Sequence, residues 1–175
     1  MTKIALIDLE TTGLDPAKHE IIEIACIILD SGDFSVKKTL EIKVKPENPE
    51  HGDPKAFEVN GYNSFDWQEA ADLKFAMTEL ARITSYATML AYNVSFDYGF
   101  LKAAFDKTGV KDTMNYQRLD LLTLAWFQLP HLELKSWKLK SVAEHLGVPS
   151  EPTIHRAMNG ALCAYEVLKK LRQPV

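Results

Sequence analysis

Two carboxylates, Asp8 and Glu10, close the apolar run Ile4-Ala5-Leu6-Ile7-Asp8-Leu9-Glu10, and the polar turn Thr11-Thr12-Gly13-Leu14 follows. Successive side chains of a strand point to opposite faces, so this pair shares one face, roughly 7 Å apart along the backbone. The two charges repel there. A hard, oxygen-seeking divalent cation, Mg²⁺ or Mn²⁺, would offset that repulsion and make the pair a ligand set. The same residues also fit a strand that simply runs out into a threonine-rich turn.

Three further stretches have chemical potential. In Asn93-Val94-Ser95-Phe96-Asp97 a strand end meets a helix start. Asp97 falls in the first helical turn, where the macrodipole favours a carboxylate, and it is also placed to add a third acid to Asp8 and Glu10. Asn93 would hold the turn. His155, just before the final helix, is of the residue type most often used as a general base for a water nucleophile. His19, His51, His131 and His145 lack a comparable context and read as structural. Finally, the aromatic and amide-bearing stretch Pro54 to Tyr62 could stack on a base, and Lys135, Lys138 and Lys140 could track a phosphate backbone. Each of these also fits an ordinary loop or a solvated helix face.

The elements that must position these residues follow from periodicity. Ile4 to Leu9 is apolar on both alternating faces, as in a central strand covered on both sides. Glu20 to Leu29 and Phe34 to Val44 read as a hairpin about the Asp30-Ser31-Gly32-Asp33 turn. Lys45 to Phe65, punctuated by prolines and glycines, reads as a long loop. A helix capped by Asp66 and Glu69 runs to about Ile83, a short strand spans Tyr86 to Ala91, and Ser95 caps the next helix. Tyr116 to Leu122 is the fifth strand, Pro130 breaks the chain, Ser141 to His145 is helical, and a last helix spans about Arg156 to Leu171. This order describes one α/β domain over residues 1–175, with a five-stranded mixed sheet flanked by helices. Ligands of such sheets bind beyond the carboxyl ends of the strands, which is where Asp8 and Glu10 fall.

Bulk composition narrows the classes. The 175 residues are 46% hydrophobic and 25% charged, which excludes disordered and fibrous chains. No apolar run approaches the roughly 18 residues of a membrane span, and Met1-Thr2-Lys3 leads straight into a strand, so a cytoplasmic protein is expected. Cys26 and Cys163 each sit in apolar surroundings and read as buried free thiols. A net charge of −4 argues against broad, non-specific nucleic-acid binding.

Taken together and in order, Asp8-Leu9-Glu10-Thr11-Thr12-Gly13-Leu14, Asn93-Val94-Ser95-Phe96-Asp97 and His155-Arg156-Ala157 resemble the motifs of the DEDDh family of 3′-to-5′ exonucleases. The resemblance covers nearly the whole chain and extends to Ala56 to Tyr62 and to Lys138 to Gly147. It implies the ribonuclease H-like fold and metal-dependent hydrolysis at a single-stranded nucleic-acid 3′ end, releasing nucleoside 5′-monophosphates. It implies that Asp8, Glu10 and Asp97 hold two divalent cations, Mg²⁺ or Mn²⁺, and that His155 deprotonates the attacking water. Thr11, Thr12, Gly13 and Leu14, with Asn60, Asn93 and Phe96, are the positions it assigns to the substrate. A DNA substrate, in proofreading or repair and alone or beside a DNA polymerase, is the leading implication, with RNA or short oligoribonucleotides as the alternative.

One position departs from that pattern. The fourth acid of the family lies five residues beyond the histidine, and here that residue is Gly160. A glycine within a helix costs about 1 kcal/mol relative to alanine, and nothing in the sequence offsets it. Three readings follow: an inactivated chain, a substitute carboxylate such as Glu151, or a module that binds nucleic acid without cutting it. Asn159 is one residue off, about 100° around the helix.

Overall fold

Strand β1 (Lys3–Thr11) is the middle strand of a five-stranded sheet and is walled on both faces. The computed structural model describes residues 3–129, 134 and 136–172; the expectations stated above for Met1, Thr2, Pro130, His131 and Lys135 lie outside them. On one side β1 pairs antiparallel with β2 (Ile21–Asp30), which in turn pairs antiparallel with β3 (Val36–Lys43). On the other it pairs parallel with β4 (Ala87–Ala91), followed by the three-residue β5 (Arg118–Asp120), giving the order β3-β2-β1-β4-β5. Strand β3 forms one edge, and its exposed Lys37, Lys38 and Lys43 discourage further strand pairing.

Alternation along β1 sorts its side chains between two cores. Ala5, Ile7 and Leu9 pack with helices α2 (Leu73–Ile83) and α3 (Val94–Thr108). Ile4 and Leu6 face the opposite core with α4 (Leu121–Gln128), α5 (Leu139–His145) and α6 (Ala157–Leu171). Each fully buried Ile or Leu contributes roughly 1.5–3 kcal/mol, and this double burial fixes the strand's register. Asp8 and Glu10 continue the even-numbered row, so they emerge on the side of α6. Strand β4 stops at Ala91, and β1 runs on past it, carrying both carboxylates beyond the sheet's covered centre.

Several boundaries differ from those expected. Within the supposed loop, Pro49–His51 forms a 3₁₀ turn and Pro54–Asn60 forms helix α1. Asp53 caps α1 by accepting from the Lys55 N–H, Pro54 occupies the first turn, and Gly61 ends the helix at φ 62°. Phe57 and Tyr62 stack on each other, with ring centres 4.8 Å apart, so these rings belong to internal packing. Helix α2 begins at Leu73 and is capped by Asp72, not Asp66; Asp66 instead accepts from the Asn63 side chain at 2.7 Å. The fifth strand shortens to Arg118–Asp120 because the Asp120 carboxylate caps α4 through the Thr123 N–H. Cys26 and Cys163 are buried free thiols, and among the described residues no helix is long and apolar enough to cross a membrane.

Candidate active site

Asp8 lies where α6 crosses the end of β1, against Gly160. A Cβ added at Gly160 would stand 2.8 Å from Cγ of Asp8, and nearer still to Oδ2. The glycine that looked purposeless in the sequence thus lets the carboxylate rest directly on the helix backbone. Glu10, one step further along the same row, is paired across the ladder with Glu23 of β2, just before a bulge between Glu10 and Thr11.

Asp97 arrives from the other face of the sheet. Asn93, not Ser95, occupies the N-cap of α3, in the left-handed conformation at φ 65°, and accepts from the Ser95 hydroxyl. The first turn is fixed further by the Val94 N–H, which donates to the Asp120 carboxylate at 3.0 Å. This turn drops Asp97 onto the end of β1, where it is 3% exposed and the Leu9 N–H draws its carboxyl downward in pKa. Asp120 had no sequence signal of its own: its bonds from Val94 and Thr123 unite the starts of α3 and α4 only once β4 and β5 pair.

His155 is held by a polar network at the start of α6. Its backbone N–H donates to the Val59 carbonyl at 3.0 Å. Glu23, only 2% exposed, accepts from the Ala157 N–H at 3.1 Å and from Arg156 at 3.4 Å, and so caps α6 from a neighbouring strand. Arg156 also donates to the Asn60 carbonyl at 2.6 Å and lies over the Trp67 ring. A glutamate inside the otherwise apolar run Ile21 to Leu29 was the one sequence signal for this cap.

The substrate positions divide in two. Thr11, Thr12 and Asn60 are buried, and their polar atoms are engaged internally. The Thr11 hydroxyl donates to the Gly13 carbonyl, Thr12 Oγ1 accepts from the Glu20 N–H, and the Asn60 amide donates to the Thr11 carbonyl while accepting from the Tyr62 N–H. Gly13 is buried under the His19 ring, where no side chain would fit. These four residues shape the turn. Leu14 is 78% exposed beside them; at the start of α3 Asn93 is exposed and Phe96 is half-buried, resting on Phe100. Lys138 and Lys140 are exposed at the start of α5. A separate cleft of about 280 Å³, between the Pro16 to Ile21 and Val44 to Asn48 segments and α3, contains none of the clustered acids.

Burial, then the charges of Asp97 and Glu10, push the Asp8 carboxyl well above the usual carboxylate range. Glu10 is raised to about 8 by burial, then by Glu23 and Glu151, against the pull of Arg156. Asp97 is raised by burial despite its amide partners. No hydrogen bond among the described residues offsets the cost at Asp8 or Glu10. Crowded, unpartnered carboxylates of this kind are a donor set suited to a hard divalent cation. Among the described residues no three such side chains are drawn together as a finished metal cage.

Comparison with known proteins gives the family. Residues 5–168 match the RNase T exonuclease family. The chain is 28% identical over 177 residues to the 3′-5′ exonuclease DinG of Bacillus subtilis, covering 98% of this chain and 18% of that protein. It is 30% identical over 162 residues to the PolC-type DNA polymerase III of Thermotoga maritima, covering 93% of this chain and 11% of that one. It therefore spans less than a fifth of the length of either relative. Among solved structures, the zinc-ion-bound form of the E. coli Exonuclease I complex with single-stranded DNA superposes with a TM-score of 0.81 at 20% identity, over 97% of this chain and 40% of that one. The sheet and its flanking helices are thus the ribonuclease H-like fold, and the chain belongs to the RNase T family of exonucleases.

Proposed function

We propose that this chain, as one exonuclease domain, hydrolyses phosphodiester bonds at the 3′ end of single-stranded DNA in a metal-dependent reaction. The observation that carries this reading is the meeting of three acids at one strand end: Asp8 and Glu10 from β1, and Asp97 from α3, with His155 held nearby at the start of α6. Asp8, Glu10 and Asp97 would hold the divalent cations, Mg²⁺ or Mn²⁺. Bound there, such ions supply a water of lowered pKa and counter the charge of the scissile phosphate. His155 accepts the proton of the attacking water. Its Nδ1 is turned towards Glu151, at 3.9 Å, which leaves Nε2 for that task. Leu14, exposed at the mouth, would press on the terminal base and favour a frayed, unpaired end.

The relatives support the setting. One is named a 3′-5′ exonuclease, others are PolC-type polymerases, and the matched Exonuclease I structure holds single-stranded DNA. Work beside a DNA polymerase, in proofreading or repair, fits that company, and two buried free thiols fit the cytoplasm. Gly160 favours a second reading, a chain that grips a 3′ end without cutting it, because one acid of the family pattern is missing.

A strand labelled at its 5′ end, incubated with Mg²⁺ or Mn²⁺, separates the two. Stepwise shortening with release of nucleoside 5′-monophosphates supports the enzyme, and an RNA of the same sequence reports the sugar preference. Shortening by a Gly160→Asp variant alone would support the silent module. No shortening by either chain would refute the exonuclease reading.

A further inference from the structure

Leu14 is exposed, yet both of its chain neighbours are held by one imidazole. On one side the His19 ring covers Gly13. A Cβ added at Gly13 would stand 2.5 Å from Cδ2 and Nε2 of His19 and 2.6 Å from Cε1, near-equal distances that put it over the ring and not at its edge. On the other side the Asp15 N–H donates to Nδ1 of His19 at 3.0 Å, and the His19 backbone N–H donates back to the Asp15 carbonyl at 2.8 Å. Nδ1 accepts from an amide and so carries no proton. The base of this clamp is fixed independently: the Thr12 N–H donates to the Glu20 carbonyl at 2.8 Å, Thr12 Oγ1 accepts from the Glu20 N–H at 2.9 Å, and the Asp53 N–H donates to the Thr12 carbonyl at 2.7 Å. Residue 19 is therefore anchored through its neighbour Glu20 to the end of β1, and its ring reaches back across the turn. His19 is half-buried and lines the cleft of about 280 Å³ beside α3, so its ring does not serve to fill a core. What it fixes is the backbone on which Leu14 stands.

We propose that His19 is the positioning residue for Leu14: it sets where that exposed side chain stands and, through it, the preference for an unpaired 3′ end. The assignment rests on the reading of Leu14 as the residue that presses on the terminal base. Held on both sides, Leu14 meets a base without first having to order its own backbone, an entropic cost that binding would otherwise carry. Gly13 is the complement of His19, since any side chain there would push the ring off the turn.

The test is fluorescence anisotropy with 5′-labelled DNA whose 3′ end is either mismatched or fully paired, in Ca²⁺ and with the DNA checked to remain intact. Leu14→Ala is expected to lower the ratio of paired-end to mismatched-end Kd several-fold, and His19→Ala to lower it by a similar factor. Because His19 acts through Leu14, the double variant should lose no more than Leu14→Ala alone. His19→Asn, whose Oδ1 can accept from the Asp15 N–H but which brings no ring to Gly13, should keep part of the preference. Thermal melting establishes which variants are folded at the assay temperature; if His19→Ala is not, His19→Asn carries the test and must still fall below the unaltered chain. If Leu14→Ala lowers the ratio and the folded His19 variants do not, the Leu14 reading stands and His19 does not position it. Losses that multiply in the double variant would mean that His19 acts on the DNA independently of Leu14, which also overturns the proposal. A ratio unchanged in Leu14→Ala, or no preference in the unaltered chain, removes the Leu14 reading and His19 with it.

Discussion

Asp8 rests on Gly160 so closely that no side chain at 160 can coexist with its present rotamer. A Gly160→Ala substitution therefore sets two effects against each other. Alanine favours the helix by about 1 kcal/mol, while its Cβ displaces a buried carboxylate. The expected outcome is a melting temperature within about 3 °C of the unaltered chain, together with Mn²⁺ affinity changed several-fold because Asp8 has moved. Thermal melting and calorimetry check both parts. Added stability with unchanged Mn²⁺ binding would show that Asp8 does not occupy this space.

The acidic cluster predicts an unusual pH dependence in the metal-free protein. The Glu10 carboxyl moves from 4.5 to about 8 on folding, and Asp8 and Asp97 shift in the same direction. Between those values the folded chain retains protons that the unfolded chain has released, so the stabilisation is complete below about pH 4.5 and is lost as pH rises through about 8. Melting followed by circular dichroism in chelator should thus fall between about pH 5 and pH 8.5, and Asp8→Asn should flatten the fall. Mg²⁺ should restore stability at the upper end, since an ion that binds only the folded chain stabilises it. Stability that climbs over this range would contradict the electrostatic account.

Glu23 links the sheet to the start of α6 through the Ala157 N–H and Arg156. Removing it with Glu23→Ala leaves the buried Ala157 N–H unpaired and Arg156 with the Asn60 carbonyl alone, and is expected to cost roughly 1–3 kcal/mol in urea unfolding. Because His155 immediately precedes this cap, kcat should fall by more than KM rises. Glu23→Gln keeps an acceptor for Ala157 and should recover part of both losses. An Ala variant as stable and active as the parent would remove Glu23 from the scaffold of the site.

Leu14 tests how the strand end is held. Being 78% exposed, it contributes little to folding, and Leu14→Ala should melt within about 1 °C of the parent. The expected loss is a several-fold rise in KM for a single strand, with a weaker preference for frayed over paired 3′ ends. Steady-state kinetics on matched and mismatched ends would show it; unchanged KM would mean that the terminal base lies elsewhere.

What the sequence revealed and what it hid follows from where each signal resides. Asp8, Glu10, Asp97 and His155 stand at element ends marked by local pattern: an apolar run stopping, a helix starting. The roles of Glu23 and Asp120 depend on strand register and on how separate segments meet, and no local pattern encodes that. Glu23 gains its position opposite Glu10 only once β1 and β2 pair. Helix α1 was missed for a different reason. Its prolines and glycines read as loop punctuation, although Asp53, Pro54 and Gly61 are also a cap, a first-turn proline and a left-handed stop around a short helix. Asp66 and Asp72 were competing starts for α2, and the Asn63 side chain had already claimed Asp66. Gly160 gained its physical reason only from the tertiary contact with Asp8.

The most direct measurement is the length of a 5′-labelled single strand over time with Mn²⁺, comparing the unaltered chain with Asp8→Asn. The account predicts a ladder shortening from the 3′ end with the unaltered chain and an intact strand with the variant. Equal shortening by both, or none by the unaltered chain, would contradict it.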